Sequence, residues 1–302
     1  MKVARTVLRG GKPERAYLSR VVLANASLDT VFHDTRMMNL YSTIALSPTL
    51  RVEKDSKKDD NEYIKMFWVG LMDGDGSIQV NHWRYKYLQF RLIIKLSYIL
   101  SNYNMLIKIA KVIGGTVRIT GKGQYVIWVV DRKETIQEII RIFETYPLLT
   151  SKKICQLEFL KTCLLKNSVD WYLANRNSKF INQVTIIKSG PFGGFAKEIN
   201  CFALPNYFNG WISGFIEAEG CFSIRKDDKL SFSIGQNDDI YLINAVKQFF
   251  GATNKVRSIK VNFYFLEIYK KEVLKKIINH FNNYPLLGEK AVSLQKFNQK
   301  FK

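Results

Sequence analysis

Two acidic residues stand at matching places in two similar segments of the sequence. Asp75 lies in WVGLMDGDG, residues 68–76, and Glu219 lies in ISGFIEAEG, residues 212–220. Two carboxylates about 4 Å apart repel by roughly 4 kcal/mol at an effective dielectric near 20, so such a pair favours a cation between them. Ligation by oxygen atoms alone suits Mg²⁺ better than zinc. The predicted chemistry is therefore catalysis assisted by a bound divalent cation.

Small residues in the same segments predict how the two acids are brought together. Gly70 and Gly74 lie one helical turn apart, and Gly214 and Ala218 have the same spacing. Because small residues let two helices approach closely, we expect these helices to pair about a pseudo-two-fold axis.

That pairing places both acids at helix C-termini, where the helix dipole disfavours negative charge. Their presence there therefore does not serve the stability of the helices. The predicted metal site comprises Asp75 and Glu219 with their neighbours Gly74 and Ala218. The earlier acids of the two segments, Asp73 and Glu217, are expected to have helix-end or structural roles.

A longer internal repeat supports a duplicated chain. Residues 133–152 read KETIQEIIRIFETYPLLTSK and residues 271–290 read KEVLKKIINHFNNYPLLGEK, with ten of twenty positions identical (K, E, I, I, F, Y, P, L, L and K). LIKIAKVIGG and LINAVKQFFG precede the two copies in the same order, and each is helical in period and stopped by glycine. Lys152 and Lys290 therefore occupy equivalent positions after YPLL.

The alternation of apolar and polar residues predicts four strands in each half. The fold class is thus α+β, with two pseudo-symmetric αββαββα halves that each carry a four-stranded antiparallel sheet. The predicted divisions are an N-terminal extension (1–60), a first half (61–167), a linker (168–205) and a second half (206–302). Predicted strands lie at 77–81, 89–96, 116–120, 124–130, 221–226, 230–236, 254–260 and 262–269. SGPFGGF predicts a loop in the linker, and the charged stretch 53–62 predicts an exposed link.

The net charge and the polar sheet faces point to a polyanionic partner. Lys and Arg number 46 against 26 Asp and Glu, which gives +20, and nucleic acid is the first expectation from such a balance. A twisted sheet can follow the major groove of DNA, and its polar face supplies groups for bases and phosphates. The predicted DNA-contacting residues are Ser77, Gln79, Asn81, Arg84, Gln89, Arg91, Lys95 and Arg118 in the first half, and Ser223, Arg225, Lys229, Ser231, Ser233 and Arg257 in the second.

The two acidic segments resemble the LAGLIDADG motif of homing endonucleases, and two copies in one chain resemble the single-chain members of that family. The resemblance covers about residues 61–302. It implies sheets that bind double-stranded DNA over a long target site, packing through the two motif helices, action as a monomer, and cleavage with short 3′ overhangs. It also implies that Lys152 and Lys290 are the basic active-site residues, and that Gln236 corresponds to a polar position near the catalytic centre.

Several alternatives stay open at this level. A maturase of the same fold would use the basic surface on its host intron RNA, and a DNA-binding regulator would not cut. Mn²⁺ is an alternative to Mg²⁺, whereas Ca²⁺ is expected to support binding without cleavage. The Arg-rich start suggests either a mitochondrial presequence or a fused upstream segment, and the Lys, Asn and Ile content suits an AT-rich organellar gene. The scattered cysteines predict free thiols and no zinc site, and no apolar run reaches the roughly 20 residues of a membrane span.

Overall fold

The computed structural model of the chain describes residues 49–189, 204–225 and 229–301, with side chains described from residue 59 onward. Both halves belong to one compact unit. Most of the predicted N-terminal extension, and most of SGPFGGF, lie outside the described residues.

The first helix, α1, spans Thr49–Gly74. It includes the charged stretch 53–62, so the prediction of an exposed link there was wrong. Lys and Glu have high helix propensity, and here they form the turns that precede the buried part of the helix. Ile64, Phe67 and Trp68 in the later turns are fully buried.

The first sheet follows α1 directly. It contains β1 (Gly76–Trp83), β2 (Tyr87–Ser97), β3 (Thr116–Thr120) and β4 (Tyr125–Val130), with helix α2 (Leu100–Ile113) between β2 and β3. The strand order is β1-β2-β4-β3 and all pairings are antiparallel. The predicted alternation is confirmed along β2, where Leu92 and Ile94 are buried and Arg91 and Lys95 are exposed.

The second half repeats this arrangement. Helix α7 (Phe208–Glu219) leads into β5 (Gly220–Ile224), β6 (Leu230–Asn237), α8 (Ile240–Phe250), β7 (Arg257–Lys260) and β8 (Phe263–Ile268), with the order β5-β6-β8-β7. Helices α9 (Lys271–Asn283) and α10 (Glu289–Phe301) follow, as α3 (Lys133–Thr145) and α4 (Ser151–Lys166) do in the first half. The predicted α+β class and its two four-stranded antiparallel sheets are confirmed.

The segment between the halves contains more regular structure than predicted. Two short helices, α5 (Val169–Asn175) and α6 (Gln183–Ser189), occupy its first part, for which the sequence analysis predicted no helix. The Ser168 hydroxyl accepts a hydrogen bond of 3.2 Å from the Trp171 amide and so caps α5. The remaining residues to 203 lie outside the described ranges.

Helices α1 and α7 pack together at backbone contact. A Cβ placed on Gly70 would lie 1.9 Å from the Trp211 carbonyl oxygen, and one placed on Gly214 would lie 1.8 Å from that of Phe67. Real Cβ atoms do not come so close, so only glycine fits at either position. The prediction that the small residues permit close approach of the two helices is confirmed.

Each sheet packs its apolar face against helices through large aromatic side chains. In the first half, the Trp68 ring stacks on Phe143 with centroids 4.9 Å apart and meets Trp128 edge-on at 5.7 Å. These contacts join α1, β4 and α3. In the second half, Phe222 contacts both Phe232 and Phe297. The opposite face of each sheet is left uncovered by these helices.

Three further findings bear on the sequence expectations. Among the described residues, no helix is long and apolar enough to cross a membrane. Cys155, Cys163 and Cys221 are free thiols, and Cys201 lies outside the described ranges. No group of three or more His, Cys, Asp or Glu side chains suited to a metal ion occurs in the same part of the chain.

Candidate active site

Asp75 and Glu219 lie at the adjoining C-terminal ends of α1 and α7. The Asp75 amide closes the last turn of α1 by donating to the Leu71 carbonyl at 2.9 Å, and Glu219 is the last residue of α7. A Cβ built on Gly74 would lie 2.3 Å from the Ala218 Cβ, 3.4 Å from the Glu219 Cγ and 3.6 Å from its Oε1. The glycine thus leaves the space that the Glu219 side chain occupies beside the end of α1.

The electrostatic environment of the two acids is that of a like-charged pair. Loss of solvent raises the pKa of both Asp75 and Glu219, and the charge of Asp75 raises the pKa of Glu219 further. Lys290 and Lys153 act in the opposite direction on both carboxyls. Both side chains remain partly open to solvent. The pair is therefore accessible, and a cation beside it would relieve the repulsion.

The first acid of each motif has a different environment. Asp73 is buried and accepts hydrogen bonds from the Leu149 amide at 2.8 Å, the Thr150 amide at 3.0 Å and the Thr150 hydroxyl at 2.6 Å. Its fourth donor is the indole nitrogen of Trp211 in the other half, at 2.8 Å. Asp73 therefore fixes the YPLLT turn, and with it the start of α4, against α1 and α7.

Glu217 fixes the corresponding turn in the second half. Its carboxylate accepts from the backbone amides of Leu287 at 3.1 Å, Gly288 at 3.0 Å and Lys290 at 2.8 Å. These amides form the start of α10, where the helix dipole favours a negative charge. The contacts agree with the helix-end role expected for Asp73 and Glu217, and they position the lysines that follow YPLL.

The two adjacent lysines at the start of α4 have different partners, and the role predicted for Lys152 stays a prediction. The Lys152 ammonium forms an ion pair with Asp238 at 2.9 Å, whereas Lys153, the next residue, acts on Asp75 and Glu219. The pKa of Lys153 is lowered because burial outweighs the opposing charges of Asp73, Glu219 and Asp75. Consecutive residues of a helix point about 100° apart, so the two lysines face different partners. Alignment of the repeats matched only Lys152 and missed Lys153.

Gln236 lies near the end of β6, within the predicted strand 230–236. It pairs with Tyr264 on β8 and is partly buried. It shares the strand periodicity of Phe232 and Ile234, which face the helices. Its role near the catalytic centre stays a prediction.

The polar face of the first sheet is accessible at every predicted position. Asn81, Arg84, Gln89, Arg91, Lys95 and Arg118 are exposed, and Ser77 and Gln79 are partly exposed. The Lys95 ammonium lies 3.9 Å from the centre of the Tyr125 ring, which orients it along the sheet. A polar cleft beside edge strand β1 adds residues that the sequence did not indicate, namely Gln156, Arg176, Asn177 and Lys179.

In the second sheet, one residue predicted to contact DNA is buried, and the acidic residue Glu267 lies among the predicted basic residues. Ser231 is buried, with 3% of its surface exposed, so its predicted DNA contact was wrong. Arg225, Lys229 and Arg257 are exposed, and Ser223 and Ser233 are partly exposed. Arg225 and Arg257 both bind Glu267 on β8, at 2.7 and 2.8 Å. The Arg225–Glu267 pair crosses β6, on the face to which the short Ser231 side chain points, and this arrangement accounts for its burial.

Comparison with known proteins identifies relatives of both halves. The sequence matches the family model described as LAGLIDADG endonuclease over residues 68–163 and 212–301. A protein of Debaryomyces hansenii named "Probable intron-encoded endonuclease aI3" is 47% identical, over 93% of this chain and 48% of its own length. The chain therefore spans about half of that relative. A protein of the same name from Dictyostelium citrinum is 46% identical over 83% of this chain and its full length.

A solved structure shows the same fold. The crystal structure of the LAGLIDADG meganuclease I-AabMI bound to uncleaved DNA has a TM-score of 0.57 and 24% sequence identity to this chain. The match covers 78% of this chain and 89% of that protein.

Proposed function

The chain belongs to the LAGLIDADG endonuclease family, and from this premise we propose that it cuts both strands of a specific, long double-stranded DNA site. The observation that carries the proposal is the convergence of Asp75 and Glu219 at the ends of two helices packed at backbone contact. The pKa of both carboxyls is raised by loss of solvent, and carboxyls with such perturbed pKa values are common at functional sites.

The residues fit a divalent cation, and we take Mg²⁺ as the native ion. Asp75 and Glu219 supply two carboxylates, and no larger cluster of metal-binding side chains occurs among the described residues. Mg²⁺ is commonly held by one or two carboxylates together with substrate phosphates, and it retains several waters. When bound, the cation supplies stabilisation of the charge that develops on the scissile phosphate.

The residues of the chain have separate tasks in this reaction. Asp75 and Glu219 would hold the cation through their carboxylates. Lys290 and Lys153 provide positive charge near the same point, which offsets the growing charge on the phosphate oxygens. Asp73 and Glu217 position both lysines through the turns that they cap.

The two sheets supply binding. Their accessible polar faces present arginine, lysine and amide side chains to the grooves and the phosphate backbone. If each half covers about one helical turn, the target spans roughly 20 base pairs. Because both halves lie in one chain, a monomer is sufficient for double-strand cleavage, and sedimentation of the active complex tests this.

The names of the relatives suggest the biological setting. Both curated relatives are described as intron-encoded endonucleases, and we propose that this chain promotes homing of its own intron in an organelle, with the mitochondrion as the first choice. The short 3′ overhangs implied by the family resemblance are part of the same proposal.

Selection of cleavable sites from a randomised DNA library, with Mg²⁺ present, tests the proposed function. We expect one family of related sites, cut in both strands, with no cleavage after chelation of the metal. Recovery of no enriched site from the folded protein in Mg²⁺ would contradict the proposal.

A second candidate function, binding of intron RNA, rests on the turn between β1 and β2. Trp83, Tyr85 and Tyr87 are 46%, 71% and 53% exposed, and the Arg84 guanidinium lies 5.2 Å from the centre of the Trp83 ring. Exposed aromatic rings alternating with basic residues are suited to stacking on unpaired bases. Loss of affinity for a transcript of the host intron in Tyr85→Ala, with unchanged DNA cleavage, would support this second role.

A further inference from the structure

The second sheet contains one acidic residue among its exposed basic groups, and that residue has two arginine partners. Glu267 binds the Arg225 guanidinium through Oε1 at 2.7 Å and the Arg257 guanidinium through Oε2 at 2.8 Å. Arg225 follows β5 and Arg257 begins β7, so the two arginines approach Glu267 from opposite sides of β6 and β8. One carboxylate thus ties together both margins of the sheet.

We propose that Glu267 is a positioning residue for DNA recognition, which holds Arg225 and Arg257 as one preoriented pair that reads adjacent base edges. The inference rests on the proposed function and names a determinant of its specificity. Both arginines are about half exposed, at 54% and 55%, while Glu267 is only 21% exposed. The guanidinium groups, and not the carboxylate, therefore form the accessible surface.

The donor inventory is consistent with this role. Each guanidinium has five N–H donors, and each makes its hydrogen bond to Glu267 through Nη2. Enough donors remain for a bidentate contact to guanine O6 and N7, which is the commonest specific contact in the major groove. Fixing two long side chains before binding reduces the entropy that recognition would otherwise cost.

The first half provides an internal comparison. Strand pairing shows that Arg118, opposite Ile127, corresponds to Arg257, opposite Phe265. By the same register, the counterpart of Glu267 is Val129, a buried and uncharged residue. The paired-arginine arrangement is thus a property of the second half, and it would make the two halves read their parts of the target differently.

The competing interpretation is that Glu267 itself reads a base, by accepting a hydrogen bond from the amino group of cytosine. Both of its carboxylate oxygens are already engaged by arginines, which favours the positioning role. The two interpretations differ in whether the effect of Glu267 depends on its arginine partners.

The test compares base preferences along the selected target site for the wild-type protein, Glu267→Gln, Arg225→Ala with Arg257→Ala, and the combination of all three. In Glu267→Gln we expect discrimination at the base pairs read by the arginine pair to fall about fivefold or more. Total affinity should stay equal or rise, because one negative charge is removed from a basic surface. In the background lacking both arginines, Glu267→Gln should have no further effect on base preference.

Two controls keep the result interpretable. Glu138→Gln makes the same change in net charge at an exposed position of α3 and should leave every preference unchanged. Glu267→Asp keeps the charge but is shorter by one methylene, so it should lose part of the discrimination, and it replaces Glu267→Gln in the test if that variant does not fold.

Unchanged base discrimination in Glu267→Gln would overturn the proposal. So would a loss of discrimination that is equally large in the wild-type background and in the background lacking both arginines. Base pairs contacted by the first half provide an internal reference in each profile. If the wild-type protein yields no specific site at all, the proposed function itself fails, and that outcome is distinct from a wild-type site whose profile does not respond to Glu267.

Discussion

At the scale of single residues, the two acids of each motif differ in their hydrogen-bond partners and in the charges near them. Asp73 and Glu217 accept hydrogen bonds from backbone amides, whereas the pKa of Glu219 is raised by burial and by the charge of Asp75 and lowered by the charges of Lys153 and Lys290. The sequence predicted this division because both motifs repeat it. The sequence did not predict that Lys153 would act on the two acids or that Glu267 would bind two arginines. The rotation of a helix decides which of two adjacent lysines faces the site, and a single glutamate on a strand does not reveal its partners.

The lysine assignment leads to a prediction that compares neighbouring residues. Lys153→Met should reduce the single-turnover cleavage rate by about tenfold or more, because it removes a charge that offsets the developing charge on the phosphate. Lys152→Met should have a smaller effect, since its ammonium is bound to Asp238. Rapid-quench cleavage assays on preformed complexes measure both rates. A larger loss in Lys152→Met would show that the ion pair with Asp238 is broken in the working complex.

His280 gives a prediction about stability and pH. It is packed among Phe249, Phe250, Phe281 and Tyr284, and burial lowers its pKa from 6.5 to about 4. The unfolded chain therefore takes up a proton before the folded protein does as the pH falls. The stability contribution of the neutral imidazole is complete above pH 6.5 and declines as the pH falls towards 4.

Urea unfolding of the wild-type protein and His280→Phe at pH 7.5 and 5.0 measures this contribution. The wild-type protein should lose more free energy of unfolding on acidification than the variant does, since the other titrating groups are common to both. Equal losses in the two proteins would contradict the assignment of a depressed pKa to His280.

At the scale of elements, the repeated patterns predicted more than the composition did. The alternation in residues 89–96 predicted a strand, and the glycine spacing of the motifs predicted a helix interface; the structure confirms both. Composition misled at residues 53–62, because charged residues suit helix surfaces as well as links. It also concealed α5 and α6, which are too short for a clear helical period.

The interface between α1 and α7 gives a prediction at this scale. Gly214→Ala would place a Cβ 1.8 Å from the Phe67 carbonyl oxygen, so the helices must separate. We expect a loss of about 3 kcal/mol or more in the free energy of unfolding, at the upper end of the cost of overpacking. Urea denaturation measures it, and cleavage should fall too because the two acids move apart.

Gly123→Ala is the matched control for Gly214→Ala. Its added Cβ meets nothing within 4 Å, but its φ of +87° lies in the left-handed region. Only backbone strain of about 1–2 kcal/mol is expected there. If the two alanine variants were equally stable, close approach of the helices would not be the reason for glycine at position 214.

At the scale of the whole molecule, two similar halves each contribute one acid to the candidate active site but differ in detail. Cross-half contacts fix their arrangement: Trp211 binds Asp73 at 2.8 Å, and the Asp239 carboxylate accepts from the Ser151 amide at 3.0 Å. The repeat predicted the duplication. These contacts and the asymmetry between Glu267 and Val129 depend on residues that the repeat does not share, and only the structure shows them.

The central claim is that Asp75 and Glu219 hold the metal for cleavage while the sheets hold the DNA. Paired cleavage and gel-shift assays of Asp75→Asn and Glu219→Gln on the selected site, run with Mg²⁺ and then with Ca²⁺, test it most directly. Each change keeps the size of the side chain and removes one anionic ligand. We expect double-strand cleavage in Mg²⁺ to fall by about 100-fold or more, with affinity in Ca²⁺ within a few-fold of wild type. Wild-type cleavage rates in both variants, with folding intact, would contradict the account.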